Sequence, residues 1–171
     1  KGFLTMAPDI SRGKCASDRE EAGHLMQGLD FKGAVADIIA CALFLKSKGC
    51  KKVGIAGFCM GGALTIASIC NSTEFDAAGV FYGIPDLNTV SLSNIKCPVS
   101  LNFGLEDPMK GFSDADSAKD LSVKMGELGI QVELQLYEAG HAFMNRDSDK
   151  FNQAANDEAT AKLLEFLGKH L

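Results

Sequence analysis

A chain of 171 residues with 46% hydrophobic and 23% charged residues has ordinary globular composition, which excludes a disordered or fibrous protein, and it is long enough to bury roughly 70% of the surface its unfolded form exposes. The 22 acidic and 17 basic residues leave a formal net charge of -5 with no basic block, so nucleic acid and anionic membrane surfaces are excluded as expected partners and small solutes remain. The longest apolar run, Ala34 to Leu45, is broken by Asp37 and falls short of the roughly 20 residues that a membrane span requires.

In chain order, Phe3 to Ala7 is an apolar run stopped by Pro8-Asp9 and reads as a strand. Ser11 to Gly28 is polar without clear period and reads as a loop containing His24. Val35, Ile38, Ile39, Ala42, Leu43 and Leu45 recur at helical spacing, which predicts a helix over Asp30 to Lys48 with Gly49 as its stop. Lys52 to Ala56 reads as a strand, the glycine-rich stretch Gly57 to Gly62 as a tight turn, and Ala63 to Cys70 as a helix. Ala77 to Tyr82 and Pro98 to Phe103 are two further strands, ending at Gly83 and Gly104. Ser113 to Leu128 reads as a helix with Asp114 and Asp116 in its first turn, Gln131 to Tyr137 as a strand, and Lys150 to Leu171 as an amphipathic terminal helix.

Strands alternating with helices imply right-handed crossovers and a mostly parallel sheet flanked by helices. In such α/β sheets reactive groups gather in loops beyond the carboxyl ends of the strands. Cys59, Asp107 and His141 each fall just after a predicted strand. Gly57-x-Cys59-x-Gly61 has the spacing of a nucleophile elbow, in which the nucleophile is held in a strained turn and glycines two residues away avoid the neighbouring strand and helix. A thiol at the start of a helix meets the positive end of the helix dipole, which favours thiolate, and the Met60 N–H points where an oxyanion would form. The order Cys59, Asp107, His141 is that of nucleophile, acid and histidine in α/β-hydrolases. The glycines match neither G-x-G-x-x-G nor the G-x-x-x-x-G-K-[ST] loop, so nucleotide is not expected.

The other cysteines, Cys15, Cys41, Cys50, Cys70 and Cys97, form no C-x-x-C pair and no zinc-ligand spacing; a reducing, cytoplasmic setting follows, with Cys41, Cys50, Cys70 and Cys97 as packing residues. His24 and His170 read as solvated or structural, and the three histidines show no metal-ligand spacing.

The stretches "APDI", "KVGIAGFCMGGAL", "FYG", "GLEDP" and "YEAGHAF" resemble the dienelactone hydrolase family, in its order and through essentially the whole chain. The resemblance implies an α/β-hydrolase fold and a Cys59–His141–Asp107 triad that opens small esters or lactones without cofactor. It also implies substrate contacts from Tyr82 and from two arginines that hold a carboxylate; Arg12 and Arg146 stand nearest to those two positions, one residue early and one residue late. In the family, further strands precede "APD", and their loop carries a glutamate and a second oxyanion amide without counterparts here. The chain is therefore expected to be a single domain over residues 1–171 that forms the C-terminal portion of a larger one, its remainder supplied by another segment or copy, or else its sheet rearranged. The rival expectation is a hydrolase-like binding or scaffold domain without turnover. A serine-type or metal-assisted hydrolase has less support, since no serine occupies an elbow.

Overall fold

In the computed structural model, which describes residues 2–171, the short apolar runs become four parallel strands: β1 (Gly54–Phe58), β2 (Ala77–Phe81), β3 (Val99–Gly104) and β4 (Val132–Tyr137). They lie side by side in the order β1-β2-β3-β4. Both β2 and β3 are buried along their whole length, which is why they read as continuous apolar runs and not as alternating ones. The pairings Phe58↔Phe81, Phe81↔Asn102 and Gly104↔Tyr137 bring the carboxyl ends of all four strands to one rim.

Helix α2 (Phe31–Ser47) starts where the Asp30 side chain accepts from the Gly33 N–H, and α3 (Met60–Asn71) follows β1 directly, three residues earlier than its sequence pattern suggests. Helix α4 (Ala115–Glu127) is capped by Asp114, which therefore precedes the first turn, and α5 (Gln153–His170) is capped by Asn152. Strand alternation decides which helix covers which face. Gly57 faces Thr65 of α3, whereas Gly54 and Gly79 face Leu167 and Leu163 of α5. Helix α3 lies on β1 and β2, α4 on β3 and β4, and α2 on α3, so the sheet is covered on both faces. Phe81, Phe103, Phe143, Leu101 and Ile66 are completely buried between these layers.

Two expectations fail. Phe3 to Ala7 forms no strand: the segment has no ladder hydrogen bonds, and Phe3, Leu4 and Met6 are 38%, 66% and 46% exposed. A strand exists only through a neighbour, and among the described residues β1 is hydrogen-bonded to β2 alone in the sheet order. Nor is Ser11 to Gly28 all loop, since Arg19–Gln27 forms helix α1. The Asp18 side chain accepts from the Glu21 N–H at 2.8 Å, and the Glu21 carboxylate accepts from the Ser17 N–H and hydroxyl, both at 2.7 Å. That reciprocal cap is a start signal legible in "SDREE", but the helix is only nine residues long and mostly polar, so its apolar positions Ala22, Leu25 and Met26 are too few to stand out as a period. His24 thus sits on a helix, exposed and 4.0 Å from Glu20.

Candidate active site

Cys59 occupies the single residue between β1 and α3, with φ 55° and ψ -120°. A non-glycine residue in that region is strained and persists only where its surroundings impose it. Here the Cys59 N–H donates to the Phe81 carbonyl at 3.0 Å, and the Cys59 carbonyl accepts from the Gly62 N–H at 2.8 Å, so both backbone groups are tied to neighbours. Of the two framing glycines, only Gly57 is required by packing: a Cβ there would overlap the Gly61 carbonyl, whereas a Cβ on Gly61 would meet open space. The second close approach is at Gly83, where a Cβ would overlap the Cys59 carbonyl oxygen.

The three chemically reactive residues meet at the rim. His141 Nε2 lies 3.2 Å from Cys59 Sγ, and His141 Nδ1 lies 2.8 Å from Asp107 Oδ2. The other oxygen of Asp107 accepts from the Met109 N–H at 3.0 Å. The loops that carry Asp107 and His141 are joined by hydrogen bonds from Leu105 N–H to the Tyr137 carbonyl at 2.8 Å and from Glu106 N–H to the Ala139 carbonyl at 3.0 Å. Asp107 is fully buried as a side chain and His141 is 14% exposed, so little water screens the pair.

Burial alone would raise the Cys59 thiol. The hydrogen bond and charge of His141, helped by the Met60 N–H, outweigh it and hold the thiol below its ordinary value. The same contact with sulfur, reinforced by Asp107 against the effect of burial, raises the His141 imidazole. Both shifts favour a thiolate beside an imidazolium. By contrast, burial pushes the Cys70 and Cys97 thiols up to about 11, as befits packing residues.

A cavity of about 340 Å³ opens beside the sulfur, lined by Phe58, Cys59, Tyr82, Ala142, Met144 and Asn145. Three of these, Cys59, Tyr82 and Ala142, have positive φ, a concentration of backbone strain at one place. Tyr82 is buried, with its ring 5.3 Å from that of His141, and burial together with the Cys59 charge raises its hydroxyl to about 12. Arg12 is placed elsewhere: its guanidinium binds Asp37 of α2 at 2.9 Å and lines a different depression, with His24 and Leu29. Arg146 is exposed and also outside the lining of the Cys59 cavity. Sequence reasoning missed the walls Phe58, Met144 and Asn145, for which closeness to Cys59 and His141 in the chain was the available signal. The Ser113 hydroxyl, which lies 3.1 Å from His141 Nδ1, had no such signal.

Among the described residues, no three His, Cys, Asp or Glu side chains gather as a metal site requires, and no helix is long and apolar enough to cross a membrane.

The family profile of the dienelactone hydrolases matches residues 1–171. Protein usf of Aquifex pyrophilus is 28% identical over 184 residues, an overlap covering 100% of this chain and 77% of that protein. Carboxymethylenebutenolidase of Pseudomonas putida is 27% identical over 181 residues, covering 98% of this chain and 74% of its own length. A solved structure from Klebsiella pneumoniae superposes with a TM-score of 0.75 at 18% identity, over 90% of this chain and 68% of that one. The structure of esterase PE8 does so with a TM-score of 0.63 at 22% identity, over 80% of this chain and 61% of that one. With its parallel sheet clad by helices, the chain has an α/β-hydrolase fold and belongs to the dienelactone hydrolase family of ester- and lactone-cleaving hydrolases.

Proposed function

We propose that the chain is a cysteine-dependent hydrolase of small esters or lactones in which Cys59 is the nucleophile, His141 the acid and base, and Asp107 the group that orients His141. The observation that carries this reading is the unbroken relay from Cys59 Sγ to His141 Nε2 at 3.2 Å and from His141 Nδ1 to Asp107 Oδ2 at 2.8 Å.

The sulfur, as thiolate, adds to the substrate carbonyl carbon, and the C=O π pair moves to oxygen. The Met60 N–H, at the first position of α3, stabilises that oxyanion. When the tetrahedral adduct collapses, the C–O bond to the leaving group breaks and the alkoxide takes the proton from His141 Nε2. Water then attacks the thioester and gives a proton to the same nitrogen, and the thiolate departs from the acid product. Asp107 accepts from Nδ1–H throughout, which keeps Nε2 directed at the sulfur and stabilises the charged ring. The cavity formed by Phe58, Tyr82, Ala142 and Met144 suits a short, largely apolar acyl group, with Asn145 at its edge.

Hydrolysis of p-nitrophenyl acetate by the wild type, Cys59→Ala and Cys59→Ser tests the reading. Turnover is expected to be lost in Cys59→Ala and strongly reduced in Cys59→Ser, because a serine hydroxyl beside this histidine lacks the low proton affinity of the thiol. Undiminished turnover in both variants would rule it out.

A further inference from the structure

We propose that Ser113 is a positioning residue for His141: its hydroxyl and the Asp107 carboxylate together grip Nδ1 and so keep Nε2 on the Cys59 sulfur. The inference rests on the proposed role of His141 as acid and base.

Ser113 is completely buried and stands one residue before Asp114, the cap of α4. Its backbone N–H donates to the Met109 carbonyl at 3.0 Å, so the hydroxyl is the one polar group of its side chain still to be accounted for. Among the described residues, that hydroxyl has one hydrogen-bond partner, His141 Nδ1 at 3.1 Å. A buried hydroxyl is retained in a packed core when it is satisfied, so this contact has a structural reason to persist. The Nδ1–H therefore faces two acceptors, Asp107 Oδ2 at 2.8 Å and Ser113 Oγ at 3.1 Å, in a three-centre arrangement.

A single hydrogen bond leaves the imidazole free to swing about it, whereas two acceptors from different directions define the ring's plane. Both come from one loop between β3 and α4, which is closed on itself. The Asp107 carboxylate accepts from the Met109 N–H at 3.0 Å and the Asp114 carboxylate from the Gly111 N–H at 2.7 Å. The ring thus meets Cys59 from the elbow, Asp107 and Ser113 from this loop, and Tyr82 from the segment after β2, with the uncharged Phe112 ring 6.2 Å away. By accepting from Nδ1–H, the Ser113 oxygen turns the negative end of its dipole toward the ring. That favours imidazolium, and with it the thiolate.

The test uses the whole chain as wild type, Ser113→Ala and Ser113→Thr. Iodoacetamide labelling of the Cys59 peptide is followed by mass spectrometry against pH, alongside kcat and KM for p-nitrophenyl acetate and the thermal midpoint. In Ser113→Ala, kcat is expected to fall about tenfold with KM little changed. The labelling midpoint of Cys59 should rise by roughly half to one pH unit. Ser113→Thr, which keeps the hydroxyl, should restore the wild-type midpoint. If Ser113→Ala does not fold, Ser113→Cys, similar in size but a weaker acceptor, is measured in its place with the same expectation. The proposal is overturned if the hydroxyl-free variant keeps the labelling midpoint of the wild type, whatever its kcat, or if a folded Ser113→Thr is shifted as far as Ser113→Ala. A wild-type Cys59 that titrates as an ordinary thiol overturns the reading of His141 itself, and this proposal with it. A depressed wild-type midpoint that survives the loss of the hydroxyl overturns this proposal alone.

Discussion

Gly83 packs so tightly beneath the elbow that a Cβ at residue 83 would overlap the carbonyl oxygen of Cys59. The elbow is therefore held from below by the segment after β2 as much as by its own glycines. The Cys59 N–H hydrogen bond to Phe81 at 3.0 Å enforces the same closeness.

This arrangement separates glycines that a sequence motif treats alike. Gly83→Ala and Gly57→Ala each drive a methyl group into backbone that cannot yield, so both should destabilise the fold by about 1–3 kcal/mol, the usual scale of overpacking, and displace the sulfur. Gly61→Ala points into open space within a helix and should be neutral or stabilise by about 0.5–1 kcal/mol. Urea unfolding of the three variants, with esterase assays beside it, checks the order. Equal loss at residues 57 and 61 would contradict it.

Titration of Cys59 should show the pair with His141. The sulfur becomes thiolate as pH rises through a pKa held below its ordinary value, and the ring stays imidazolium until pH passes a pKa held above its own. Activity should accordingly rise through the first and fall through the second. Labelling of the Cys59 peptide by iodoacetamide should show a midpoint below the roughly 8.5 of a free thiol. Removing the ring in His141→Ala leaves burial as the main influence and should move that midpoint above the ordinary value. A midpoint that ignores the substitution would contradict the pairing.

Acid stability should depend on Asp114. Burial works against its charge, but hydrogen bonds from the Ser117 hydroxyl and N–H and the Gly111 N–H, with Lys110 nearby, bring the carboxyl down to about 2 from an ordinary 3.8. Because its folded pKa is the lower one, its contribution is complete above pH 4 and is lost as pH falls toward 2. The difference corresponds to about 2 kcal/mol. Asp114→Ala should lower stability at neutral pH by about that amount, through loss of the cap, and should flatten the decline between pH 4 and pH 2. Denaturant unfolding across that range measures both. A decline as steep in the variant as in the wild type would assign the acid sensitivity to other carboxylates.

Much of this protein is written locally in its sequence. The Asp30 cap and helical period mark α2, and the short apolar runs ending in glycine mark β2 and β3. Gly57-Phe58-Cys59 marks the elbow, because strand, turn and helix signals are set by φ/ψ limits and side-chain spacing over a few residues. Chain order also anticipated that Cys59, Asp107 and His141 belong together. What residue order could not supply is distance. Cys59 and His141 are 82 positions apart, and their 3.2 Å contact exists because the parallel register brings the ends of β1 and β4 to one rim. The same holds for Ser113 on Nδ1, for Gly83 under the elbow and for Arg12 on Asp37. It holds in reverse for Phe3 to Ala7, whose strand-like composition came to nothing without a hydrogen-bonded neighbour. Local conformation is chosen by the residue and those beside it, whereas pairing and close approach are chosen by what packing brings near, and only the folded chain decides that.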